Sequence, residues 1–157
     1  MRPLFQNARS ALALGLMLTP LTALTAQKAK ACALLPRAEA ARILGKPKLA
    51  TAKSLLDDDS DDGCRYQGAG FRLDTQEVGP GWSAALKKMI KAGNAEAVSG
   101  IGDEAAFMKD AGGNLVFGAR KGLRTVSVTM EDDWGGPPDQ LKPTLIKLVK
   151  VAAARLP

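Results

Sequence analysis

The sequence contains no histidine, only two cysteines and few aromatic residues. Without histidine, Ser-His-Asp and Cys-His catalysis, histidine metal sites and histidine pH switches are excluded. The sequence also has no G-x-S-x-G segment and no phosphate-binding loop, and Gly100-Ile101-Gly102 alone is too short to be a dinucleotide fingerprint. We therefore expect a protein that is not an enzyme and that uses no cofactor.

The first 26 residues have the order of a secretory signal peptide. Arg2 and Arg9 supply positive charge, residues 10–18 form an apolar run, and small residues follow Pro20. That run is shorter than the roughly 20 residues of a transmembrane helix, and no other segment is longer and as apolar. The sequence predicts a signal peptide over 1–26, a single domain over 27–157, and export to the periplasm or the medium without a transmembrane segment.

The cleavage point has two candidates. Ala26 lies close to the apolar run, whereas Ala31 ends the segment with the better small-x-small form. Cleavage after Ala31 would place Cys32 at the mature N-terminus, as in a lipoprotein. Such signals carry a small residue two positions before the cysteine, where this chain has Lys30. The lysine argues against a lipid anchor.

The net charge of +6 is carried partly by this leader. Without Arg2 and Arg9 the remainder carries +4, which is 22 minus 2 basic residues against 16 acidic ones. The remaining charges are interspersed, whereas nucleic-acid binders cluster them and often interleave stacking aromatics. The sequence thus predicts no nucleic-acid partner and a modestly positive, soluble surface.

The two cysteines, Cys32 and Cys64, allow one intramolecular connectivity. Export places them where disulfides persist, and there is no C-x-x-C or histidine to favour a redox or metal pair. Cys32 precedes the first predicted helix and Cys64 opens a predicted strand. We expect a structural disulfide that anchors the start of this helix to the sheet.

Hydrophobic periodicity predicts helices and strands in alternating groups. Helices are expected over 37–44, 82–93 and from about 138 to the C-terminus, and strands within 46–56 and over 64–67, 71–76, 104–108, 114–119 and 123–130. The last two strands form a hairpin over 120–122. Pro143 suits the final helix only in its first turn.

This order predicts an α+β fold, with an antiparallel sheet, helices on one face and a C-terminal helix. The two helix-plus-sheet units have similar lengths, so we also consider an ancient duplication. In the last helix, Lys142, Lys147 and Lys150 form a polar side that could face an anionic membrane surface or an acidic partner. The apolar stripe of the same helix is explained more economically as core.

One acidic loop has the opening of a calcium site. Asp58, Ser60, Asp62 and Gly63 match D-x-[DS]-x-D-G, in which alternate oxygens converge on a hard cation. The twelfth position is Ala69 instead of a bidentate glutamate, and no helices flank the loop. A solvated loop and a weak calcium or partner site both stay open.

Several short segments together resemble a family of small exported bacterial proteins and lipoproteins of unknown function. They are Cys32-Ala-Leu-Leu35, Glu39-Ala40, Leu44-Gly45, Gly63-Cys64-Arg-Tyr66 and Val98-Ser-Gly-Ile-Gly-Asp-Glu-Ala105. The resemblance covers about residues 32–156; it implies the Cys32–Cys64 pairing and an α+β fold of repeated units, and it supplies no catalytic residues. This chain departs from the family in having Leu35-Pro36 where a threonine would cap the first helix.

These observations favour an exported, non-enzymatic binding module that acts on a protein or an envelope component through a sheet face or a loop. One version of this hypothesis is an inhibitor of an extracellular enzyme. The alternative is a small-ligand carrier with a pocket between the sheet and the helices.

Overall fold

A computed structural model describes residues 30–46, 49, 52–54, 63–66, 70–130 and 137–157. The predicted signal peptide and the calcium-like residues Asp58, Ser60 and Asp62 lie outside this part of the chain. The described residues form four helices and seven strands. In chain order these are α1 (Ala31–Leu34), α2 (Arg37–Leu44), β1 (Ala52–Ser54), β2 (Gly63–Tyr66), β3 (Phe71–Glu77), α3 (Trp82–Lys91), β4 (Ala95–Val98), β5 (Glu104–Lys109), β6 (Leu115–Lys121), β7 (Arg124–Met130) and α4 (Pro138–Ala154).

The described strands form one antiparallel sheet in the order β1-β2-β3-β7-β6-β5-β4. The sheet consists of two meanders, β1 to β3 and β4 to β7, which join through their last strands. A helix precedes each meander, and α4 follows the second. The predicted α+β class with an antiparallel sheet and a C-terminal helix is therefore confirmed.

The register separates the side chains of the sheet into two faces. Phe71, Leu73 and Thr75 of β3 stand opposite Met130, Val128 and Val126 of β7 on the first face. These six side chains are all buried. Helices α1 and α4 pack on this face and bury their apolar sides against it, and α2 packs beside α4. Within the predicted apolar stripe of α4, Leu145, Leu148, Val149 and Ala152 are fully buried, whereas Leu141 is half-buried.

Helix α3 lies against the opposite, second face of the sheet. Its Ser83 hydroxyl donates a hydrogen bond to Glu104, and Trp82 lies beside Arg120. Glu104 and Arg120 are cross-strand partners on the second face. Helices α1, α2 and α4 thus lie on the first-face side of the sheet, whereas α3 covers the second face near β4, so the prediction that the helices share one face is wrong for α3. An amphipathic pattern predicts that a helix buries one side, but it does not predict which face of the sheet that side contacts.

The disulfide lies where the first helices meet the sheet. Cys32 precedes α2, as expected, but it lies within α1, a short helix that the sequence does not predict. It is bonded to Cys64 of β2 with the two Cα atoms 5.1 Å apart. Nearby, the buried Tyr66 hydroxyl donates a hydrogen bond to the carbonyl of Leu35. Burial raises the pKa of this phenol, so the tyrosine stays a neutral donor.

Helix α2 begins and ends as its sequence predicts. Pro36 precedes it, and Gly45 adopts a left-handed conformation with φ 65° just past its end. In that conformation the next amide, of Lys46, donates to the carbonyl of Ala41. Glycine takes this backbone shape at little cost.

Three further local features differ from the prediction. Strand β4 was not predicted, because four residues with intermediate or full exposure carry no clear alternation. The β6–β7 hairpin turns at Gly122-Leu123 instead of over 120–122. Pro143 lies in the second turn of α4, on its exposed side.

Candidate functional site

The second face of the sheet carries polar side chains beyond the part that α3 covers. They are Arg65 of β2, Arg72, Asp74 and Gln76 of β3, and Ser127 of β7, and we call them the open face. Arg65 and Gln76 are exposed and the other three are half-buried. They point to the same side because alternate residues of a strand share a face.

An ion pair lies at the centre of the open face. The Arg72 Nε donates to Asp74 Oδ2 at 2.8 Å, and the two side chains are 41% and 34% exposed. The cross-strand partners of these residues on β7 are Thr129 and Ser127. Thr129 is buried and Ser127 is half-buried. A half-exposed pair of opposite charges beside the Ser127 hydroxyl offers directional donors and acceptors to a second molecule.

A cluster around Arg120 borders the covered part of the second face. Its Nε lies 3.1 Å from Glu104 Oε2 and its Nη1 lies 3.3 Å from Asp103 Oδ2. The Ser83 hydroxyl donates to the same Glu104 oxygen at 2.6 Å, and the Arg120 guanidinium lies 5.9 Å from the centre of the Trp82 ring. One arginine thus ties α3 to strands β5 and β6.

The electrostatics of this cluster suit a structural role. The hydrogen bond from Ser83 lowers the pKa of Glu104, and Arg120 adds to the effect. A carboxylate that is stabilised as an anion is a poor proton acceptor, so it would activate the Ser83 hydroxyl only weakly. We interpret the cluster as the attachment of α3 to the sheet.

A second candidate surface lies on the outer side of the helices. Between α2 and α4, a groove of about 490 Å³ is lined by Arg42, Ile43, Lys147, Lys150, Val151 and Ala154. A neighbouring cavity of about 620 Å³ on α2 is lined by Arg37, Ala38, Ala41, Arg42 and Gly45. The two share Arg42, so they form one basic surface.

The structure places the candidates from the sequence in different ways. Cys32 and Cys64 are joined, and Asp58, Ser60 and Asp62 lie outside the described residues. The three lysines of the last helix separate: Lys142 pairs with Glu96 at 2.7 Å and lies 5.4 Å from the Phe107 ring centre. Lys147 and Lys150 instead line the outer groove.

Sequence reasoning missed both the Arg120 cluster and the contribution of Arg42 to the groove. The groove joins residues more than a hundred positions apart, and no local spacing reports such a pairing. For Arg120, one signal existed: Gly102-Asp103-Glu104 brings two carboxylates beside a glycine, which suits a tight turn with an adjacent cation.

Comparison of the chain with protein-family models, curated proteins and solved structures found no significant match. Among the helices that the structure describes, none has both the length and the apolar character needed to cross a bilayer.

Proposed function

We propose that this chain is an exported, non-enzymatic module that binds a protein partner through the open face. The observation that carries the proposal is the half-exposed Arg72–Asp74 pair at the centre of that face. An ordered pair of opposite charges fixes how a partner is oriented and selects among partners, because the partner must place a negative group against the arginine and a positive group against the aspartate.

The covalent structure supports the exported part of the proposal. A disulfide such as Cys32–Cys64 persists in oxidising compartments outside the cytosol. The absence of histidine, which removes the catalytic arrangements that depend on this residue, supports a role without catalysis. An inhibitor of an extracellular enzyme is one form of this proposal, with the enzyme as the partner.

The small-ligand carrier has less support. Large side chains occupy the layer between the first face and its helices, among them Leu34, Leu35, Phe71, Phe117 and Leu145. The groove and cavity described above lie on the outer side of α2 and α4. They are open to solvent instead of being enclosed between the sheet and the helices.

Site-specific photo-crosslinking in the host cell tests the proposal. A photoreactive amino acid replaces Gln76 or Ser127 on the open face, or the exposed Gln140 on α4 as a control. We expect one adduct of the same mass from both open-face positions and none from Gln140. Mass spectrometry identifies the partner, and calorimetry with the purified pair measures its affinity.

The double variant Arg72→Glu with Asp74→Arg provides a matched control. It keeps the net charge and the internal ion pair but reverses the direction of the pair. We expect affinity for the identified partner to fall by about tenfold or more. The proposal is overturned if neither open-face position gives an adduct, or if the reversed pair binds the partner as tightly as the wild type.

A further inference from the structure

The groove between α2 and α4 combines positive charge with an aliphatic floor. Arg42, Lys147 and Lys150 are exposed, while Ile43 and Val151 are half-buried beneath them. Long basic side chains lay their methylene groups along apolar surface and keep the charge in water. A ligand for this groove would therefore be anionic where it meets the three cations and apolar where it meets the floor.

The cations of this surface are not neutralised within the described part of the chain. Arg37, Arg42, Lys147 and Lys150 make no ion pair with a residue that the structure describes. The nearby carboxylate of Glu39 is engaged by Arg155, which also donates to the carbonyl of Leu34. The positive potential of the groove is thus available to an external anion.

We propose that the outer surface of α2 and α4 binds an anionic phospholipid membrane, with lipid phosphates between Arg42, Lys147 and Lys150. Two helices that lie side by side present these cations outward from one layer. Several exposed cations around shallow apolar side chains are typical of proteins that rest on an anionic bilayer.

An acidic peptide fits the groove less well. Its described lining consists of three cations on flexible side chains and three aliphatic residues. Flexible cations can contact many anions on an extended surface, but they do not hold a peptide in one register. Peptide grooves usually add a deep anchoring pocket or a strand edge that holds the peptide backbone. A bilayer surface requires neither feature.

This inference does not rest on the proposed protein partner. The basic surface lies on the outer side of the helices that cover the first face, whereas the open face is on the other side of the sheet. A membrane-bound molecule would therefore turn Arg72 and Asp74 away from the bilayer, where a partner protein can reach them. Either activity can fail in its own assay while the other persists.

Vesicle binding tests the membrane proposal with the disulfide-bonded protein purified from its exporting host. Co-sedimentation compares vesicles of phosphatidylcholine alone with vesicles that also contain phosphatidylglycerol. We expect binding to the anionic vesicles only, weakened by added salt because ions screen exposed charges. The variant Arg42→Gln with Lys147→Gln and Lys150→Gln should bind them roughly a hundredfold more weakly.

A matched variant separates the groove from net charge. Lys87→Gln with Lys88→Gln and Lys91→Gln removes the same three charges from exposed positions of α3, and it should retain vesicle affinity within about twofold because these lysines face away from the bilayer. The proposal is overturned if both triple variants lose affinity equally, or if neutral vesicles bind as well. Binding of polyglutamate but not of anionic vesicles would replace the membrane with an acidic protein partner.

Discussion

Gly102 approaches the backbone of Arg120 so closely that a β-carbon at position 102 would lie 2.3 Å from the Arg120 carbonyl oxygen. The same oxygen accepts a hydrogen bond from the Asp103 amide at 2.7 Å. Gly102 also has φ 58°, a conformation that favours glycine. The Gly-Ile-Gly-Asp-Glu segment is therefore a tight turn that packs directly against the Arg120 backbone of β6 where β5 begins.

Gly102→Ala should destabilise the protein by about 3 kcal/mol or more, because the methyl group adds a backbone collision to the cost of positive φ. Gly100→Ala is the matched control: Gly100 has φ 82°, but a β-carbon there meets no atom within 4 Å. We expect that variant to lose only about 1–2 kcal/mol. Urea unfolding measures both, and equal losses would contradict the close contact.

Removing the disulfide should lower stability without changing the fold. The bond closes a separation of 32 residues, and restricting the unfolded chain over such a loop contributes about 3–4 kcal/mol. Cys32→Ser with Cys64→Ser should show this loss in urea unfolding. Reductant should destabilise the wild type to the same extent and leave the double variant unchanged. An intact mass two hydrogens below that of the dithiol form would confirm the bond, and free-thiol labelling of the protein recovered from the periplasm or the medium would refute it.

Glu104→Gln should alter how stability depends on pH. Because the folded pKa of Glu104 is lowered from 4.5, its ionised form stabilises the fold above that value. This contribution is lost as the pH falls through the lowered pKa. We expect the variant to be less stable than the wild type at neutral pH and the difference to shrink in acid.

Ser83→Ala provides the control for this titration, since the Ser83 hydrogen bond is the largest cause of the shift. An NMR titration of the Glu104 carboxyl should show its pKa moving back toward 4.5 in that variant. A stability difference between wild type and Glu104→Gln that stays constant with pH would exclude this account.

Replacement by methionine should change the stability of the protein differently at Arg124 and at Arg155. The Nε and Nη2 atoms of Arg124 are buried without a hydrogen-bond partner among the described residues, so Arg124→Met should be neutral or stabilising by about 1 kcal/mol. Arg155 binds Glu39 and the Leu34 carbonyl, so Arg155→Met should destabilise by about 1 kcal/mol or more. Thermal unfolding compares the two, and a clear loss from Arg124→Met would reveal a partner for its guanidinium.

Much of the fold could be predicted from local patterns. The alternation in 126–130 predicts which residues of β7 share the first face, although Thr129 on the second face is buried as well, and Pro36 with Gly45 delimits α2. Both signals work because they depend on neighbours in sequence: the pleat of a strand and the capping of a helix. The short strand β4 was missed because its four residues lack that alternation.

The candidate surfaces could be predicted much less well. The sequence identified Lys147 and Lys150 as a polar side of a helix, but Arg42 joins them only because α2 packs beside α4. Similarly, Arg72 and Asp74 lie on an accessible face because α3 covers a different part of the sheet. Such relationships depend on long-range packing, which spacing along the chain does not encode.

For Gly102, the sequence alone determined that a glycine stands two residues before Glu104, in a short turn ahead of a strand. It likewise determined the absence of histidine chemistry and the single way in which Cys32 and Cys64 can pair. Only the tertiary structure decided that the glycine meets Arg120, that α3 lies on the second face, and which charges share a groove. Composition and covalent connectivity belong to the chain itself, whereas these contacts arise when distant segments pack together.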